Sequence, residues 1–193
     1  MSAKHNELYP VFLKVSELQV LIIGGGNVGL EKLTFLLKSS PNAKVTMVSL
    51  TFAPELIELS KKHHVELIKS SYKKSFLKDK HLVIICTNSL KVNTKAYQHC
   101  KAKKLLVNVA DNPPYCDFYM GGIVTKGAVK IAISTNGQSP TLAKRLRQFL
   151  ESVIPNEIDN LAENLNVYRN TLKADFSTKV LQLNELTKNL LSK

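Results

Sequence analysis

The chain has 193 residues, of which 44% are hydrophobic and 22% are charged, and its formal net charge is +12 at pH 7. This is the composition of an ordinary soluble globular protein. No apolar run approaches the roughly 20 residues that cross a bilayer, and the first residues lack the apolar core of a secretory signal. We therefore expect a cytoplasmic protein with no membrane partner.

Residue types that bind metals are few and lack the spacing of a metal site. The three cysteines, Cys86, Cys100 and Cys116, form no CxxC pair, so we expect neither a disulfide framework nor a thiolate site. The five histidines show no H-x-x-x-H or comparable spacing. The sequence therefore predicts no metal held by the protein.

The positive charge is concentrated in residues 1–139, which hold 19 lysines and 9 acidic residues. Every basic residue there is lysine, and aromatic residues make up only 7% of the chain. Nucleic-acid-binding proteins usually combine arginine with stacked aromatics in a recognisable motif. We therefore expect no nucleic-acid partner. The lysines either attract a polyanionic small substrate or lie solvated on helix faces.

In chain order, the first predicted elements are a buried strand at residues 20–23 and a helix whose apolar stripe begins at Leu30. Between them, Gly24, Gly26 and Gly29 have the spacing G-x-G-x-x-G. In a dinucleotide-binding turn the first glycine permits a tight turn, the second admits a pyrophosphate, and the third lets the helix pack closely. The N–H groups of the helix start then face the phosphates. A glycine-rich turn in another α/β protein is the competing interpretation.

The following segments alternate between strand and helix. Strands are predicted at residues 45–50, 65–68, 82–86 and 105–109, helices at residues 54–63 and 90–101, and a short helix or loop at residues 69–80. This alternation implies right-handed crossovers and predicts an α/β fold with a Rossmann-type parallel sheet.

Beyond Asp111 the pattern changes. Residues 118–125 and 128–134 predict an antiparallel hairpin, and Ser139 followed by Pro140 predicts a capped helix start. The remaining residues are polar and helical. We therefore expect three parts: a Rossmann domain at residues 1–114, a small α+β segment at residues 115–152, and a C-terminal helical tail at residues 153–193.

Ligands of parallel sheets bind at the carboxyl ends of the strands. This rule selects the glycine loop, residues 49–51, Thr87 with Asn88, and residues 108–111. No carboxylate follows the second strand until Glu55, and no arginine lies nearby to favour a 2′-phosphate. NAD is therefore favoured over NADP.

Asp111 ends the fifth predicted strand, at the same edge of the sheet as the glycine loop. Its carboxylate could act as a general base, or it could satisfy the backbone of the proline turn that follows. The residues alone leave both interpretations open. A second candidate anion site, or simply a surface helix, begins at Ser139, with Lys144, Arg145 and Arg147 one turn further on.

Five segments match, in order, the motifs of one known family: YPVFLKV, VLIIGGGNVGLEK, SLTFAPEL, NVADNPPYCDFYMGGIV and KIAISTNGQSPTLAKRLR. Through them the chain resembles precorrin-2 dehydrogenase, which is related to the N-terminal half of siroheme synthase and to a bifunctional dehydrogenase/ferrochelatase. The resemblance covers about residues 8 to 155. The last two motifs are far more specific than the glycine signature.

The resemblance implies that NAD+ takes a hydride from precorrin-2 to give sirohydrochlorin, and that some members also insert Fe2+. It implies dinucleotide contacts at Asn27, Val28, Leu50 and Thr51. It assigns an essential catalytic role to Asp111, which favours the general-base interpretation.

The resemblance also implies that residues 115 to about 150 interlock two subunits as a homodimer.

Two other classes of function stay open. One is a non-catalytic sensor module that binds a dinucleotide without turnover. The other is a basic adaptor whose binding to nucleic acid would fall steeply with salt.

Overall fold

The computed structural model describes residues 6–190. Residues 1–5 and 191–193, which are the outer ends of the predicted first and third domains, lie outside the described residues. The chain forms two compact units, one of Met1–Met120 with Asn136–Gln138 and one of Gly121–Thr135 with Ser139–Lys193. The domain limits placed at residues 114 and 152 stay predictions.

The first unit is built around a five-stranded parallel sheet. Its elements are β1 (Gln19–Ile23), α1 (Asn27–Ser39), β2 (Lys44–Ser49), α2 (Pro54–Lys62), β3 (Glu66–Lys69), a 3-10 helix (Lys74–Leu77), β4 (Leu82–Ile85), α3 (Leu90–Ala102), β5 (Leu106–Val109) and a second 3-10 helix (Pro113–Tyr115). The strand order is β3-β2-β1-β4-β5. The predicted Rossmann-type parallel sheet is confirmed, and its strands and the helices α2 and α3 begin and end within one residue of the predicted limits.

Both faces of this sheet are buried, and this explains the continuous apolar strands. Along β1, Val20 and Ile22 pack in one layer with α1, whereas Leu21 and Ile23 pack in the other layer with α3. Adjacent strand residues point to opposite faces, so a strand covered on both sides needs apolar residues at every position. Each such side chain stabilises the fold by about 1.5–3 kcal/mol through burial.

Within the described residues, the second unit contains a hairpin, three α-helices and a short 3-10 helix at Lys188–Leu190. Its elements are β6 (Gly122–Lys126), β7 (Val129–Ile133), α4 (Pro140–Val153), α5 (Ile158–Thr171) and α6 (Phe176–Thr187). The two strands pair in antiparallel register, as predicted. Ser139 caps α4 as predicted, because its Oγ accepts a hydrogen bond from the Leu142 amide at 3.2 Å.

The predicted start of the hairpin at residue 118 is wrong, because β6 begins only at Gly122. The preceding residues run back along β5 instead. The Asp117 amide donates to the Val107 carbonyl at 2.7 Å, and Asn108 Nδ2 donates to the Phe118 carbonyl at 2.8 Å. These bonds occupy backbone groups that a longer hairpin strand would need.

Helix α4 leaves one apolar face uncovered by its own unit. We call this face the α4 stripe; it consists of Leu142 (52% exposed), Leu146 (40%), Phe149 (59%) and Val153 (52%). Intervals of four, three and four residues place these side chains on one side of a helix. A different side of α4 packs on the hairpin, since a Cβ on Gly122 would lie 3.6 Å from Arg147 Cβ.

Among residues 6–190, no helix is long and apolar enough to span a bilayer. In the same described part of the chain, no group of three or more His, Cys, Asp or Glu side chains is placed to hold a metal ion.

Candidate functional site

The glycine loop joins β1 to α1 through a bend that only glycine fits. Gly24 has a φ of +124°, in the region that favours glycine. Its amide donates to the Val48 carbonyl at 3.0 Å, and a Cβ on it would lie 2.6 Å from the Cys86 carbonyl oxygen. At the other end of the loop, a Cβ on Gly29 would lie 2.4 Å from the Gly24 carbonyl oxygen. The tight turn expected at Gly24 and the close helix packing expected at Gly29 are both present.

Gly26 differs from the other two, because a Cβ placed on it would meet no atom within 4 Å. It is the residue before α1, and the start of that helix has no side-chain cap and no acidic residue in its first turn. Its first N–H groups therefore have no side-chain partner and no competing negative charge. An uncapped helix start beside free space suits a phosphate, so the loop fits a dinucleotide pyrophosphate.

Helix α3 starts at the same edge of the sheet but does not offer such a site. Ser89 caps it, with Oγ accepting from the Val92 amide at 3.4 Å. Before it, Thr87 Oγ1 hydrogen-bonds Asn93 Oδ1 at 2.6 Å, and Asn93 Nδ2 donates to the Thr87 carbonyl at 2.9 Å. Thr87 therefore shapes the loop after β4, whereas Asn88 is exposed and makes no side-chain hydrogen bond with a described residue.

Gly25 shapes the loop at a position that the G-x-G-x-x-G interpretation did not consider. A Cβ on it would lie 2.4 Å from the Thr51 carbonyl oxygen, and its own carbonyl accepts from the Ala53 amide at 2.9 Å. This contact holds the segment after β2 against the glycine loop. Thr51 is exposed there, beside Leu50, which is 66% exposed. The run of three consecutive glycines was the available signal.

Hydrogen bonds between neighbouring strand ends arrange the predicted residues in a row. The Cys86 amide donates to the Ile23 carbonyl at 2.9 Å, and the Ala110 amide donates to the Ile85 carbonyl at 2.9 Å. The ends of β2, β1, β4 and β5 therefore lie side by side along the carboxyl edge. The strand order reverses between β1 and β4, the switch point at which such sheets bind ligands. Asp111 lies two strand spacings from the glycine loop, about 10 Å.

Asp111 follows the end of β5 in a left-handed backbone conformation, with a φ of 56°. The residue is exposed, and its carboxylate makes no hydrogen bond or ion pair with any residue in the described range 6–190. The turn is closed by backbone groups instead, since the Asn112 amide donates to the Val109 carbonyl at 3.2 Å. The alternative in which this carboxylate satisfies the backbone of the proline turn therefore has no hydrogen bond to support it. Left-handed non-glycine residues often occur at functional sites.

Asp117 has a structural role. Its Oδ1 pairs with Lys101 Nζ at 2.6 Å, and its Oδ2 accepts from the Val107 amide at 3.1 Å. The lysine is half exposed, so the pair contributes about 1 kcal/mol or less. The same loop is held by Asn108, which the strand-end rule had selected, and by Cys116, which no sequence motif indicated.

Cys86 lies beneath the glycine loop and is not a nucleophile. Its thiol donates to the Ile23 carbonyl at 3.3 Å, and burial raises its pKa to about 12. It is therefore a neutral thiol near pH 7. Its small size lets the end of β4 approach Gly24, because a Cβ on that glycine would lie 3.0 Å from Cys86 Sγ.

Two other features lie away from this row. A cavity of about 580 Å³ opens at the opposite edge of the sheet, where Gln19, Lys44 and Glu66 begin β1, β2 and β3. Strand amino ends carry no phosphate-binding turn, so this cavity is not the dinucleotide site. The start of α4, the second candidate anion site, is already capped by Ser139, which favours the surface-helix interpretation.

Two family models match the chain. The model of the NAD_binding_7 family, described as "Putative NAD(P)-binding", matches residues 11–122, more than half of the chain. The chain therefore belongs to the NAD_binding_7 family. A second model, "Sirohaem biosynthesis protein central", matches residues 126–152 of this NAD_binding_7 protein. The class of cofactor expected from the glycine spacing, NAD(P), is confirmed.

Individual relatives of this NAD_binding_7 protein agree with the family. It is 38% identical to the siroheme synthase of Pseudoalteromonas translucida, over 86% of its own length and 35% of the relative. It is 32% identical to siroheme synthase 1 of Klebsiella pneumoniae, over 88% of its own length and 36% of the relative. The resemblance to the family of precorrin-2 dehydrogenase and the N-terminal half of siroheme synthase is thus confirmed. The chain spans about a third of the length of these curated relatives.

A solved structure is similar over nearly the whole chain. It is "SirC, precorrin-2 dehydrogenase", with a TM-score of 0.75 and 26% identity, covering 93% of this NAD_binding_7 protein and 89% of that chain. The similarity therefore extends beyond the dinucleotide-binding residues to the second unit.

Proposed function

We propose that this protein is an NAD-dependent dehydrogenase that oxidises precorrin-2 to sirohydrochlorin. The observation that carries the proposal is the Asp111 carboxylate, exposed and unpaired among the described residues, in the same row of strand ends as an uncapped glycine loop. The similarity to SirC and to siroheme synthases supports the choice of substrate.

The residues of the carboxyl edge would hold the cofactor as follows. The pyrophosphate fits over Gly26, where the N–H groups at the start of α1, from Asn27 and Val28, are available. The ribose near β2 would meet Leu50 and Thr51. NAD is preferred to NADP because residues 49–51 include no arginine to pair with a 2′-phosphate.

On the other side of the switch point, Thr87 and Asn88 would border the nicotinamide end of the dinucleotide. When bound, NAD+ supplies the acceptor for a hydride. The chain itself supplies a proton acceptor at Asp111, which needs only to reach the substrate atom that loses its proton. The turn holds the aspartate at the edge of the sheet, so the carboxylate can meet a substrate without first breaking an internal bond.

Charge favours an acidic substrate. Residues 1–139 carry 19 lysines against 9 acidic residues. A tetrapyrrole with several carboxylates would be attracted by this field and partly neutralised in it. The proposal therefore accounts for the lysine excess without a nucleic-acid partner.

The experiment is to mix the protein with precorrin-2 and NAD+ and to follow the absorbance of the tetrapyrrole and of reduced nicotinamide. With the wild-type chain both absorbances should change, because precorrin-2 is oxidised while NAD+ is reduced. Asp111→Asn should keep its affinity for NAD+ and lose turnover by a factor of about 10² to 10⁴, since it removes the proton acceptor. Asparagine also tolerates the left-handed backbone. NAD+ binding without a change in tetrapyrrole absorbance would instead identify a sensor module.

The α4 stripe supports a homodimer. Its four apolar side chains are 40–59% exposed within one chain, and a second copy of the same surface could cover them. The match to the central sirohaem model covers α4 up to Ser152.

Insertion of Fe2+ into the product stays a prediction, to be tested by adding Fe2+ to sirohydrochlorin with and without the protein. The cytoplasmic location also stays a prediction.

A further inference from the structure

We propose that Cys116 is a positioning residue for Asp111, and that its side chain fixes the turn from which the aspartate projects. The inference rests on the proposed function, because it assumes that Asp111 accepts a proton from the substrate. It adds a residue whose side chain acts through the backbone of the turn instead of touching the substrate.

The sulfur contacts both ends of the turn. On the strand side, Cys116 Sγ accepts from the Val109 amide at 3.4 Å and lies 3.3 Å from the Val109 carbonyl oxygen. On the far side, it lies 3.3 Å from the Asn112 carbonyl oxygen. The single thiol hydrogen can be donated to either of these two carbonyls. One side chain therefore bridges the residue two before Asp111 and the residue after it.

A second side chain keeps the sulfur in place. Asn108 is buried, and its Nδ2 donates to Cys116 Sγ at 3.4 Å and to the Phe118 carbonyl at 2.8 Å. Next to the cysteine, the ring of Tyr115 stacks on Tyr97 of α3, with ring centres 4.2 Å apart and an interplanar angle of 8°. The cysteine is thus anchored to the sheet on one side and to a helix on the other.

This arrangement adds a side-chain constraint to a turn that the Asn112–Val109 backbone bond already closes. Asp111 has a φ of 56°, and a left-handed residue costs free energy unless its surroundings impose the conformation. The Asp111 side chain makes no bond within the described residues that could impose it. The constraint comes from neighbouring groups, and among residues 6–190 Cys116 is the side chain that bonds on both sides of Asp111.

The thiol is suited to holding a turn and not to reacting. Burial raises its pKa above the ordinary value, so it stays protonated near neutral pH and keeps its hydrogen for donation. Sulfur also bonds at longer distances than oxygen. A serine hydroxyl would keep the donor and acceptor but would reach the two carbonyls less well.

The kinetic test uses Cys116→Ala and Cys116→Ser, with Lys101→Met as the matched control. The control breaks the Lys101–Asp117 pair in the same loop but leaves the bonds of the turn intact. Cys116→Ala should lower kcat by about tenfold or more, with the KM for NAD+ unchanged. Cys116→Ser should recover part of that loss, and Lys101→Met should retain wild-type kcat. Wild-type kcat in Cys116→Ala would overturn the inference.

A double variant separates positioning from general stability. If Cys116 acts only through Asp111, Cys116→Ala should cost less than about twofold in the residual kcat of Asp111→Asn. The same tenfold loss in that background would mean that the cysteine acts elsewhere, and the inference would be wrong.

Hydrogen exchange keeps the inference testable apart from activity. Amide exchange in the full chain should rise across residues 109–112 in Cys116→Ala, and it should stay unchanged there in Lys101→Met. If the wild-type protein oxidises no tetrapyrrole, the proposed function fails while this measurement still decides whether Cys116 holds the turn. Equal exchange in Cys116→Ala and wild type would refute the positioning role.

Discussion

Gly29 lies so close to Gly24 that a Cβ on Gly29 would stand 2.4 Å from the Gly24 carbonyl oxygen. The contact is with backbone, so a side chain can be fitted only by moving helix α1 away from the loop. Gly29→Ala should therefore destabilise the protein by about 1–3 kcal/mol, as overpacking does. Urea unfolding followed by circular dichroism measures this loss. An unchanged midpoint would show that the helix moves without cost.

Gly26→Ala is expected to behave in the opposite way. Its φ of −85° and ψ of −163° suit alanine, and no atom lies within 4 Å of the added methyl group. Stability should stay within about 1 kcal/mol of wild type. The affinity for NAD+ should fall by about tenfold or more, because the methyl group enters the space proposed for the pyrophosphate. Calorimetric titration with NAD+ measures this, and wild-type affinity would place the phosphates elsewhere.

The buried thiols predict a loss of stability at high pH. Burial raises the pKa of both Cys86 and Cys100 from an ordinary 9.0 to about 12. Their pKa is higher in the folded than in the unfolded state, so their stabilising contribution is complete below about pH 9 and falls as the pH rises toward 12. Urea midpoints should therefore decrease as the pH rises from about 9 toward about 12.

Other groups also titrate in that interval, so the comparison needs a matched variant. Replacing both Cys86 and Cys100 by alanine should make the decline with pH shallower, whatever its effect on stability at neutral pH. A decline as steep as that of the wild type would show that these thiols do not contribute.

The α4 stripe predicts how the protein associates. Phe149→Asp places a charge at its centre and should shift the protein from dimer to monomer in light scattering at micromolar concentration. Gln148→Asp makes the same change of charge at the adjacent exposed position, outside the stripe, and should leave the mass unchanged. Helix content should stay the same in both variants. A dimer that persists in Phe149→Asp would remove the stripe from the interface.

The sequence predicted the elements whose signals are local. The apolar run of β1 reads as a buried strand because every position meets one of two packed layers, and Ser139 with Pro140 marks the start of α4 because capping is decided within four residues. The row of residues along the carboxyl edge follows from parallel topology. For these features the periodicity of the chain and the rules of sheet connection were sufficient.

Features that depend on contacts between distant segments could not be predicted. Gly25 is needed because the backbone at Thr51 approaches it, and no spacing rule contains that contact. The hairpin starts at Gly122, later than predicted, because Val107 and Asn108 form hydrogen bonds with Asp117 and Phe118. The role of Cys116 depends on the approach of both ends of the Asp111 turn to its sulfur, which no sequence pattern contains.

The left-handed backbone of Asp111 limits which acid the fold accepts at the end of β5. With a φ of 56°, the position tolerates aspartate, whose short side chain makes this region accessible, far better than glutamate. Lengthening the acid by one methylene would therefore alter the path of the main chain as well as the reach of the carboxylate. The shape of the turn thus selects the shorter of the two acids before any substrate arrives.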